Sequence, residues 1–207
     1  MTETSRILFS WESLDQTPIR AGQLVSDAFL VFGVVDYQTA GRFVERLPYG
    51  RNTRHSALLA VLEEGRGTCS TKHGLMRRLA IEQNLDVKLL LGIYEMNGQN
   101  TPGVGPVLSR YGLTSLPEAH CYLGAAGKRI DITRSRNGGP KHPIERFLHE
   151  EEISPAQIGD YKTELHQRFM RQWLEARRIQ LSFDELWRAR EQCIVTLADA
   201  GIPSAGR

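Results

Sequence analysis

Cys69, His120 and Asp131 have the side-chain types that nucleophilic acyl transfer needs: a thiol to attack, an imidazole to move protons, and a carboxylate to orient it. Cys69 stands where a turn containing Gly65 and Gly67 gives way to a run with helical spacing. A helix start presents unpaired N–H groups and the positive end of the helix dipole. Both favour thiolate over thiol, so a cysteine placed there falls from a pKa of ~8.5 into roughly the 3.5–7.5 range. The same N–H groups can stabilise an oxyanion formed by attack on a carbonyl. The competing reading is a small buried cysteine that happens to begin a helix. His73 follows one helical turn later on the same face. A base on that helix points along it and not across a cleft, so His73 reads as a supporting or substrate-side residue.

Residues 118–133 have the pattern of a β-hairpin, with Gly124 and Gly127 bracketing its turn. That bracket places His120 directly opposite Asp131. Cross-strand neighbours on one face have Cβ atoms about 4.5–5.5 Å apart, so the carboxylate would hold the imidazole's tautomer and stabilise its protonated form. His120 and Tyr122 would share a face with Arg129 and Asp131, while Cys121 and Leu123 would share the apolar face with Ile130 and Ile132. Cys121 is therefore expected to pack. A one-residue slip would undo this arrangement.

Other elements must position these groups. Asp36 to Leu47 reads as a helix with Phe43, Val44 and Leu47 on one face, and Ala57 to Leu62 as a short second helix. A third should run from just after Thr68 to about Gln83, burying Leu75, Met76, Leu79 and Ala80, with Thr68 or Ser70 as its cap. Val87 to Tyr94 is a buried-strand pattern, and Asn97 to Pro106 reads as a loop. Residues 5–11 and 18–25 read as short strands or coil, 119–123 and 129–133 as strands. Ser154 with Gln157, and Ser182 with Glu185, fit the capping box ahead of helices near 155–178 and 183–200. Helices, then strands, then helices predict an α+β fold, with a core over residues 1–150 and a helical extension over 151–207 packed on it.

The 207 residues include 26 Lys and Arg against 24 Asp and Glu, a net +2. That balance lacks the clustered basic face of a nucleic-acid binder. No stretch reaches the ~20 apolar residues of a membrane span, and no signal-peptide pattern opens the chain, so a cytoplasmic protein without a membrane partner is expected. The 3 cysteines form no disulfide framework. Cys69, His73, His120 and Cys121 are zinc-ligand types, but their spacing is not that of a zinc site, and adjacent strand residues face opposite ways. No metal or cofactor is expected. The basic stretch 134–142, starting at Arg134, is a candidate for anionic substrate groups, with a solvated loop as the bland alternative.

With Gly67, Thr68 and Cys69, then Glu118, Ala119 and His120, then Ile130, Asp131, Ile132 and Thr133, the chain resembles the transglutaminase-like superfamily of papain-like thiol enzymes over roughly residues 55–135. The resemblance implies an antiparallel sheet packed on the helix carrying Cys69, and thiolate attack on an amide or ester, a peptide or protein among the substrates it admits, through an acyl-enzyme. Cys121 stands where many relatives carry tryptophan, and Glu63 where papain-type enzymes carry the oxyanion-donating glutamine. Asn52 is the substitute donor candidate. A second expectation is a catalytically silent domain of this kind that serves as a binding module.

Overall fold

A computed structural model describes residues 7–8, 11–54, 57–133, 144 and 146–199. In chain order its elements are β1 (Ile7–Leu8), α1 (Leu24–Val31), α2 (Tyr37–Arg46), α3 (Ala60–Glu63), α4 (Cys69–Glu82), β2 (Val87–Asn97), α5 (Gly105–Arg110), β3 (Ser115–Ala125), β4 (Lys128–Ile130), β5 (His149–Ile153), α6 (Asp160–Arg177) and α7 (Phe183–Asp199). The architecture is mixed, α+β, as the order of patterns predicts. α2 starts where Asp36 accepts from the Thr39 N–H, and α4 where Thr68 does the same for Thr71. Both capping boxes of the C-terminal region form; the first opens a 3-10 turn, Pro155–Ile158, just ahead of α6.

The sheet has strand order β1-β4-β3-β2-β5, antiparallel throughout except that β1 runs parallel to β4. β2 and β3 pair over their full length, which brings Gly92 opposite His120. Alternation along these strands divides the core in two. Leu89, Leu91, Ile93, Ala119, Cys121 and Leu123 join α2 and α4 in one apolar cluster. Tyr94, Met96, Leu116 and Tyr122 join α5 and α7 in the other. α6 runs from one to the other, with Leu165 in the first and Met170 in the second.

The hairpin register differs from the expected one. Ala125 pairs with Lys128 and Leu123 with Ile130, so the turn is Ala126 and Gly127. Both have positive φ, 48° and 72°, as a two-residue turn matched to strand twist requires. Gly124 is not part of the turn; it lies in β3 under the Leu90 side chain, where a Cβ would come within 2.9 Å of Leu90. The register therefore moves by two residues, which leaves every side chain on its expected face. β4 ends at Ile130, so its pairing with β3 covers only Leu123 to Ala125.

Three elements depart from expectation. Residues 18–25 run into α1, the region 97–106 ends inside α5, and β5 forms in a stretch for which no strand was expected. β5 hydrogen-bonds to β2, so the expected division at residue 150 falls inside a strand.

Candidate active site

Cys69 is the first residue of α4, and several side chains hold the approach to it. The Thr68 N–H donates to Thr71 Oγ1 at 2.9 Å, and Thr71 Oγ1 donates to Asn52 Oδ1 at 2.9 Å. Asn52 Nδ2 donates to the carbonyls of Ala60, at 3.2 Å, and Arg66, at 2.9 Å. Asn52 is thus buried and its amide hydrogens are spent on backbone. It braces the turn before Cys69 and is not the oxyanion donor expected of it. Glu63, which stands where papain-type enzymes carry the donating glutamine, pairs with Arg54.

His73 is a strut. Its Nδ1 donates to the Cys69 carbonyl at 2.7 Å, and its Nε2 accepts from the Ile132 N–H at 2.9 Å. With both nitrogens occupied it has none to offer a substrate. Burial, opposed in part by Asp131, pushes His73 down to about 4, so it is neutral near pH 7. It ties the first turn of α4 to the chain leaving β4. Lys72, fully buried, reinforces the same join by donating to the carbonyls of Leu47 at 2.6 Å and Thr133 at 2.7 Å.

The join sets Asp131 beside His120. His120 Nε2 lies 2.9 Å from Asp131 Oδ2. The other carboxylate oxygen accepts from the Thr133 N–H at 2.8 Å and from the Thr133 hydroxyl. Burial opposes ionisation of Asp131, but His120 foremost, with His73 and Thr133, holds it well below the usual carboxylate range. Nε2 of His120 is thus taken by Asp131, and the charges of the His120 ring and the Cys69 thiol favour one another. Burial alone would lower His120; Asp131 and then Cys69 outweigh it and raise it to about 10.

Cys69 is 7% exposed. Burial alone would raise its thiol, yet Lys162 first, then His120 and the Cys121 N–H, bring it down to about 6. Near neutral pH the site therefore holds a thiolate beside an imidazolium. At Cys121 and Cys193 burial outweighs the neighbouring cations and pushes both up to about 11.

Lys162 is the participant that sequence reasoning missed. From the first turn of α6 its Nζ donates to Ser70 Oγ at 2.7 Å and lies 3.7 Å from Cys69 Sγ. It is 93 residues from Cys69, and no local pattern marks it. Arg134 lies outside the described residues. Among the described residues no group of three or more His, Cys, Asp or Glu is arranged to hold a metal ion, and no helix is long and apolar enough to cross a membrane. Comparisons with protein-family models, curated proteins and solved structures found no match to this chain.

Proposed function

We propose that this chain is a thiol enzyme that hydrolyses or transfers the acyl group of an amide or ester through a covalent acyl-enzyme, with a transglutaminase-like core. One observation carries the reading: the Asp131 carboxylate holds His120 at 2.9 Å, and the charges of His120 and Cys69 favour one another, the thiol lowered to about 6 and the imidazole raised to about 10. At Cys121, where burial outweighs Lys162 and Ser70, the thiol goes the other way.

The chemistry follows from that charge state. The Cys69 thiolate attacks the carbonyl carbon, the C–S bond forms, and the carbonyl electron pair moves onto oxygen. Collapse restores the carbonyl and breaks the bond to the leaving group, which takes the proton from His120 Nδ1. Water or an amine then adds to the thioester and gives a proton back to His120. The C–S bond breaks, and the thiolate–imidazolium pair is restored. Asp131 stays ionised and fixes the ring throughout.

A second reading, a silent domain used for binding, draws on the low exposure of Cys69. Treatment with a panel of acyl electrophiles, activated esters and peptidyl acyloxymethyl ketones, separates the two. The enzyme reading expects one adduct located at Cys69 by mass spectrometry and none in Cys69→Ala. No adduct at Cys69 with any member of the panel overturns it.

A further inference from the structure

Attack on a carbonyl needs a donor where the oxyanion develops. Asn52, the side chain the sequence offers for it, is committed to backbone carbonyls, and Glu63 is a carboxylate paired with Arg54. Lys162 meets the requirement. Its Nζ lies 3.7 Å from the Cys69 sulfur, and the hydrogen bond to Ser70 Oγ fixes it at the start of α4. An oxygen on the carbon bonded to that sulfur falls within hydrogen-bond reach of the same ammonium. Lys162 interacts electrostatically with Cys69 foremost, and with the Cys121 thiol, Glu118, Arg190 and His166. Glu118 is taken by Arg190 through two hydrogen bonds of 2.8 and 2.7 Å, which leaves Cys69 as the anion with which Lys162 interacts most strongly.

We propose that Lys162 is the oxyanion donor of this site: its ammonium, anchored by Ser70, pairs with the thiolate at rest and with the carbonyl oxygen once attack has moved the charge. The inference rests on the acyl-enzyme reading above. It makes α6 part of the catalytic apparatus and not merely a packing element. In the step concerned the C–S bond forms, the carbonyl π pair becomes an oxygen lone pair, and an Nζ–H turns from sulfur to that oxygen without leaving nitrogen.

Two probes on the full-length chain separate this role from simple lowering of the thiol pKa. Alkylation by iodoacetamide needs the thiolate but creates no oxyanion; acylation by 4-nitrophenyl acetate needs both. Rates are followed from pH 5 to 10 for wild type, Lys162→Met, Lys162→Arg and Ser70→Ala. In Lys162→Met, alkylation is expected to regain the wild-type rate, within a few-fold, once pH exceeds the raised thiol pKa. Acylation at that same pH stays lower by about 10²–10³-fold, the usual cost of losing one oxyanion donor. Lys162→Arg recovers part of it, and Ser70→Ala lowers acylation several-fold. Wild-type acylation by Lys162→Met at high pH overturns the proposal, as does wild-type acylation by Ser70→Ala if Lys162→Met does not fold. Wild type that is alkylated at Cys69 but never acylated overturns it too. Wild type whose Cys69 is not alkylated overturns the thiolate reading itself.

Discussion

His120 Nε2 lies 2.9 Å from Asp131 Oδ2, just past the point where β4 stops pairing with β3. The carboxylate comes from the segment leaving the strand and not from a cross-strand neighbour, and His73 and Lys72 hold that segment. Asp131→Asn keeps the volume but removes the charge that raises His120. Acylation of Cys69 should fall by about 10³-fold or more at pH 7, while Asp131→Glu should fall less. A rate for Asp131→Asn within threefold of wild type would remove Asp131 from the reaction.

His120 should titrate in the opposite direction from the buried His73 and His166. His120 is raised to about 10, whereas burial lowers His73 and His166 to about 4. An NMR titration of the ring C2–H signals should show His120 protonated at pH 8 and the other two neutral at pH 5. The stability consequence follows from proton counts. A histidine whose folded pKa lies below its unfolded value of 6.5 binds a proton only on unfolding. His73 and His166 therefore make stability fall as pH drops from 6.5 toward 4. His120 has the reverse sign: its contribution is complete below 6.5 and is lost as pH rises through about 10. Urea midpoints unchanged between pH 6.5 and 4.5 would contradict this.

Gly92 faces His120 across the β2–β3 ladder because the Phe147 ring fills the space above it. A Cβ at position 92 would lie 2.3 Å from Phe147 Cδ1. That ring packs in turn on Tyr94 and Tyr122, both of which contact the His120 ring. Gly92→Ala should destabilise by about 1–3 kcal/mol, as overpacking does, and slow acylation as well. Denaturant melts that superimpose on wild type would show that Phe147 yields freely.

Much of this site was legible in the sequence, and the parts that were not share a cause. α4 was legible because its cap and its apolar spacing are local. The face of His120 was legible because period-two alternation survives a two-residue shift of register. The register itself was not, because Gly124 looks like a turn residue when its task is to admit Leu90. α1 has no side-chain cap of its own; the N–H groups of Val25 and Ser26 donate to Glu82 of α4. β5 lacks apolar alternation because its Glu150 and Glu152 are matched by Arg129 and Lys88 on other strands. Lys162 belongs with these: its partner comes from the other end of the fold.

Glu118 and Arg190 form a bidentate, nearly buried pair that joins β3, two residues before His120, to α7. Breaking such a pair from one side leaves a buried charge and costs about 3–5 kcal/mol. Arg190→Met alone should therefore destabilise more than the double variant Glu118→Gln with Arg190→Met. Equal unfolding free energies for the two, measured by urea titration, would mean that solvent already screens the pair.

The activated state of Cys69 is tested most directly by limited alkylation with iodoacetamide across pH 5–9, with each cysteine quantified by peptide mass spectrometry. The thiolate–imidazolium pair predicts that at pH 7 Cys69 reacts well ahead of Cys121 and Cys193, which burial holds near 11, and that its rate reaches half its plateau near pH 6. Equal, slow labelling of all three cysteines, or a Cys69 rate still rising through pH 9, would contradict it.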